Sequence, residues 1–148
     1  MLTISSPESV AAELRPLLLR INRRLRREAL PTGTTVGQIS LLVIIRERPG
    51  IGVRELAELE RMSAPAMSGY VDRLEGAGLV TRTQVAGDRR RVGLELTAAG
   101  RKLVRSARAM RTEWLATRLR RLTDEQLAAL EAALEPLGAL LSDEQGAA

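Results

Sequence analysis

At 148 residues, with 45% apolar and 28% charged side chains, the chain is sized for one soluble domain with a real core. It holds no Cys and no His, which excludes disulfides, thiol redox sensing, imidazole metal ligands and Ser–His nucleophile pairs. A formal net charge of +5 suits a polyanionic partner, while one Trp, one Tyr and no Phe argue against stacking platforms for single-stranded nucleic acid.

The opening MLTISSPESV lacks a basic segment followed by an apolar one, so no leader peptide is expected. Ser6-Pro7 reads as a helix start, Ser as cap and Pro at the first position. Leu14, Leu17, Leu18, Ile21 and Leu25 follow at helical spacing, with Arg20, Arg23, Arg24 and Arg27 on the opposite face. Pro16 should kink this helix or mark a late start, and Pro31-Thr32-Gly33 ends the pattern. Thr35-x-x-Gln38 is a capping-box signature for a second helix, stopped by Pro49-Gly50. Its apolar run, Ile39 to Ile45, is far too short to span a bilayer, so the expected location is the cytoplasm, with no membrane partner. Ile51 to Val53 could give one short strand before a third helix with Leu56, Ala57 and Leu59.

After the tight connection Glu60-Arg61-Met62, Ser63 can cap a fourth helix whose buried stripe is Met67, Val71 and Leu74. Gly78 closes it. The runs LVTRTQV and RVGLEL then read as a strand pair around a turn at Ala86-Gly87-Asp88-Arg89, with a basic tip at Arg89-Arg90-Arg91. Thr97 caps a fifth helix, about Ala98 to Arg121, along which Leu103, Ala107, Met110 and Trp114 recur by four and three. Thr123-x-x-Gln126 starts a sixth, carrying Leu127, Leu130, Leu134, Leu137 and Leu141, and SDEQGAA reads as a frayed end. No segment is acidic with ligand spacing, so neither a metal nor a cofactor is expected. The fold class that follows is mainly α (α+β): a winged helix-turn-helix over 34–97, with terminal helices over 6–33 and 98–142 forming a dimerisation region. Together they make one domain over 1–148. Leucine stripes on both terminal segments exceed what the small central lobe can cover, which points to a homodimer.

With the elements placed, the runs GVRELAE, MSAPAMSGYVDRLEGAGLV and GDRRRVGLELTAAG, in this order and spacing, resemble the MarR family of bacterial transcription regulators. The resemblance covers nearly the whole chain. It implies a homodimer on a palindromic double-stranded operator, usually a repressor, and often one released by a small aromatic or phenolic effector. On this reading the fourth helix is the recognition helix, and its outward N-terminal positions are Ala64, Pro65, Ala66, Ser68 and Gly69. Ser68 can hydrogen-bond a base edge, and Pro65 or Ala66 can meet a thymine methyl. Gly69 stands where relatives commonly carry a longer polar or basic side chain, so direct readout looks thin.

Arg90 matches the family position that enters the minor groove, and Arg89 and Arg91 could touch flanking phosphates. Asp88 is expected to hold the turn by local hydrogen bonds or to pair with an Arg. Arg73 is expected to clamp a phosphate rather than read a base. Thr35 is a backbone-contact candidate whose capping role is the simpler explanation. For an effector, the candidates are Arg20 as a carboxylate anchor and Trp114 as a pocket wall. Arg20 also fits a solvated helix face or an interfacial one, and Trp114 also fits a plain core. The leading alternative function is an architectural DNA binder with little sequence preference. A winged helix used for protein contact is a third reading. Nothing in the sequence resembles an activated nucleophile or a phosphate loop, so an enzyme is not expected.

Overall fold

The structure, a computed structural model, describes residues 5–142. The chain end read above as frayed lies outside the described residues apart from Ser142. The element order is α1 (Pro7–Glu28), α2 (Val36–Glu47), α3 (Val53–Leu59), α4 (Ala64–Gly76), β1 (Val80–Val85), β2 (Asp88–Leu96), α5 (Ala98–Leu119) and α6 (Asp124–Ala139). These elements divide into two compact units, the first ending at Thr112 and the second beginning at Glu113, both within α5.

Short polar side chains set the helix starts. The Ser6 hydroxyl accepts the Ser9 amide at 3.2 Å with Pro7 opening α1, and the Ser63 hydroxyl accepts the Ala66 amide at 3.3 Å at the head of α4. Thr35 with Gln38, and Thr123 with Gln126, form the two reciprocal capping boxes of α2 and α6. Pro16 does not delay α1, which runs from Pro7 through it. The amide missing at Pro16 leaves the Ala12 carbonyl without its helical donor, and Ala12 is exposed, so solvent can supply one.

The segment expected as a strand at 51–53 is a single bridge, Ile51 to Leu94, because Gly52 already caps α3 and Val53 is its first residue. The bridge is nonetheless firm. Gly50 donates its amide to the Leu94 carbonyl, and Leu94 donates to the Ile51 carbonyl, both at 2.8 Å. The approach is so close that a Cβ on Gly93 would lie 2.5 Å from the Gly50 carbonyl oxygen. A Cβ on Gly100 would collide in the same way with the carbonyl of Leu79, where α5 leaves the sheet.

The first unit has its core in the winged lobe. Ile39, Leu42 and Ile45 of α2, Leu56 of α3, Met67, Val71 and Leu74 of α4, Val80, Leu94 and Val104 are all essentially removed from solvent. Each such side chain stabilises the fold by about 1.5–3 kcal/mol relative to exposure. The two terminal helices differ sharply. Neither α1 nor α6 buries any residue, and Leu17, Leu18, Leu19 and Ile21 on α1, with Leu127, Leu130 and Leu134 on α6, remain exposed.

Candidate nucleic-acid interface

Helix α4 offers its N-terminal half to solvent. Pro65 and Ala66 are exposed, whereas Ala64, Ser68 and Gly69 are half-buried. The stripe Met67, Val71, Leu74 anchors the other side in the core, so the outward face is fixed by packing. Arg73 is the sole basic residue of the helix, and it does not extend away from it. Its Nε donates to the Gly69 carbonyl at 3.3 Å, and its guanidinium lies 4.8 Å from the centre of the Tyr70 ring. Thr35 and Arg73 are brought together, because both line one cleft with Tyr70 and Leu41 between the start of α2 and α4. Thr35 spends its hydroxyl oxygen and its amide on Gln38.

The wing is a two-stranded antiparallel hairpin, regular from Val80–Leu96 to Gln84–Val92. There the register breaks. Val85 pairs with Asp88 across the turn at Ala86-Gly87, so β2 contributes Arg89, Arg90 and Arg91 while β1 contributes nothing opposite them. The three arginines form a bulge, and all are exposed. The Asp88 carboxylate accepts the Arg90 amide at 2.9 Å, a local bond that shapes the tip. Arg91 turns toward α3, lining a cleft with Arg54, Glu55, Glu58 and Arg82.

Three basic residues that the sequence did not single out also make notable contacts. Arg82 on β1 binds the Asp72 carboxylate at 2.6 Å and reaches Glu75 at 3.8 Å, covering the two acids of α4. Such a surface pair is worth about 0–1 kcal/mol, so its consequence is local charge rather than stability. No spacing rule links positions ten apart across a turn. The other two are Arg26 and Arg111. Arg26 donates to the Ser40 hydroxyl at 2.8 Å. Arg111 keeps its Nε buried without a hydrogen-bond partner, and burial first, then the Arg26 charge, lowers its pKa. Of the expected effector residues, Arg20 is exposed on α1. Trp114 is half-buried in the second unit, with the Arg118 guanidinium 3.4 Å from its ring centre. Among the described residues no group of three or more acids is placed to hold a metal ion, and no helix is long and apolar enough to cross a membrane.

This geometry matches known proteins. The MarR family model covers residues 34–92, the winged lobe. The HTH-type transcriptional repressor Rv2887 of Mycobacterium tuberculosis is 34% identical over 131 residues, 86% of this chain and 94% of that one. Among solved structures, a MarR family protein from Bacillus stearothermophilus superposes with a TM-score of 0.71 at 27% identity, covering 93% of this chain and 99% of that one. Wild-type MarR of E. coli gives 0.65 at 28% identity, covering 84% and 96%. The chain belongs to the MarR family of helix-turn-helix transcription regulators.

Proposed function

We propose that the protein is a dimeric, sequence-specific repressor that acts in the cytoplasm and leaves its operator when a small organic anion binds. The observation that carries the DNA-binding part is the pairing of a capped, outward-facing α4 with a wing whose tip bulges out three arginines. A helix N-terminus in the major groove and an arginine in the minor groove is how this layout reads duplex DNA. Ala64, Pro65, Ala66 and Ser68 would lie nearest the bases, Arg90 would enter the minor groove, and Arg89 and Arg91 would meet phosphates. The names of relatives support repression, Rv2887 among them.

The apolar faces of α1 and α6 support a second copy of the chain as partner, since an isolated protomer would leave them in water. For the effector, the Arg111 Nε that lacks an acceptor, together with the charge of Arg26, suits a carboxylate or phenolate. Arg20 and Trp114 are further candidates.

Selection from a random duplex library at near-physiological salt tests this reading. The expected result is a palindrome with half-sites about 10 bp apart or a multiple of that. One observation favours an architectural role instead: the outward face of α4 carries Pro65, Ala66 and Gly69, which donate and accept little. Recovery of DNA with no enriched sequence would establish that second reading.

A further inference from the structure

The face of α4 that carries Arg73 has an unusual content. Residues three, four and seven positions from Arg73 share its side of the helix, and they are Ala66, Gly69, Tyr70 and Gly76. Apart from Tyr70 this lane has no side chain longer than a methyl group. Helical side chains lean toward the N-terminus, and Arg73 does so fully: its Nε bonds the Gly69 carbonyl, one turn back. A Cβ placed on Gly69 would sit 4.0 Å from its Nη2, an ordinary van der Waals distance, so the guanidinium lies directly beside position 69 and a long side chain there would compete with it. The Tyr70 ring supports it from the side.

We propose that Arg73 is the base-reading residue of the recognition helix, delivering its guanidinium through the gap at Gly69 to a guanine in each half-site. The inference rests on the DNA-binding reading above and replaces the expectation that Arg73 only clamps a phosphate. Three features carry it. With Nε tied to the backbone, the two terminal nitrogens of the fork are left without a hydrogen-bond partner among the described residues, and a paired donor set is what the O6 and N7 acceptors of guanine require. The small residues of the lane let the helix backbone approach the groove floor, where base edges lie. The carboxylates of Asp72 and Glu75, further round the helix from Arg73, share the single Arg82 guanidinium and leave that side with net negative charge, a poorer seat for phosphates than for neutral base edges. Readout that looked thin at position 69 is supplied from position 73.

The test compares selected sites for the full-length wild type and Arg73→Lys, which keeps the charge but lacks the planar fork. The wild type is expected to enrich a guanine at one fixed position of each half-site. Arg73→Lys is expected to lose that preference by about 10- to 100-fold while the other positions stand. Replacing that guanine with 7-deazaguanine should weaken the wild type about 10-fold or more and leave Arg73→Lys nearly unaffected. Gly69→Leu, a substitution that favours the helix, should crowd the guanidinium and reduce the same preference with no loss of thermal stability. A uniform drop in affinity across all sequences for Arg73→Lys would overturn the proposal and restore the phosphate clamp. Full guanine preference in Gly69→Leu would overturn the part given to the gap. If the wild type enriches no sequence, both this inference and the sequence-specific repressor fail. An enriched palindrome with an unchanged Arg73→Lys profile overturns the inference alone.

Discussion

In the winged lobe, α2, α3, α4 and the hairpin each give up their apolar residues to a common interior, and Ile39, Leu42, Leu56 and Met67 retain no exposure. Helices α1 and α6 are as rich in leucine, yet neither contributes one buried residue. The difference separates two ways of using the same amino acid. A buried leucine such as Leu42 stabilises the protomer, whereas an exposed one such as Leu17 on α1 or Leu134 on α6 stabilises nothing until something covers it. Stability of the lobe should therefore be a property of one chain, and, on the proposal that a second copy covers α1 and α6, stability of the terminal helices a property of protein concentration.

The strongest attack on that contrast is inside the lobe. Leu42→Ala, at a position with no exposure, should cost about 2–5 kcal/mol in urea unfolding, and by the same amount at low and high protein concentration. A loss below about 1 kcal/mol would mean the lobe is loosely packed. Leu134→Glu is the matching change outside it. Leu134 is 66% exposed, and an isolated protomer would tolerate the change to within about 0.5 kcal/mol. If a second copy covers it, the variant should lose about 1.5–3 kcal/mol of burial per protomer. Light scattering should then show monomers, with a thermal midpoint that no longer rises with concentration. A Leu134→Glu protein that remains dimeric would break the comparison at α6.

Smaller effects sharpen it. Arg90→Ala should weaken operator binding by about 1–3 kcal/mol and leave both kinds of stability untouched, since the side chain lies in the exposed bulge. Unchanged affinity at fixed salt would remove Arg90 from the interface. Thr123→Ala removes the α6 cap and should cost about 1 kcal/mol, visible as fraying of α6 while the lobe signal is unchanged. The Glu125 carboxyl at this terminus is held below its ordinary value, first by its own backbone amide and then by the Thr123 hydroxyl. Its folded pKa is depressed, so its small contribution is present above the ordinary carboxylate range and fades as pH falls through the lowered value. Thr123→Ala should therefore also flatten the acid end of the α6 melting profile.

Much of the fold was legible because its boundaries are written in local chemistry. Ser6-Pro7, Thr35-x-x-Gln38, Ser63 and Thr123-x-x-Gln126 each satisfy amides within four residues, so no tertiary knowledge was needed to place them. The Met67, Val71, Leu74 stripe was equally readable, since period alone sets the buried face. The 51–53 strand was misread because Gly52 and Val53 belong to α3, leaving one bridging residue where a run was expected. At the interface, residue types were legible and their directions were not. Nothing local states that Arg73 folds back over Gly69, that Arg82 crosses to Asp72, or that the register break isolates Arg89 to Arg91. Those are outcomes of how long side chains and two strands meet in space.

The register break at the wing carries a further meaning for how such a regulator can change. Below it, Leu94 is bonded to Gly50 and Ile51 and Gly93 admits no side chain, so the base of the hairpin is closed to variation. Above it, Arg89, Arg90 and Arg91 answer to no ladder partner and to no core. Exchange of these side chains is therefore expected to disturb neither the ladder nor the core. A library randomised there alone should yield folded proteins at high frequency, and, if the proposed DNA contacts of this tip hold, lineages descended from one such chain could diverge in operator preference without first acquiring compensating changes elsewhere.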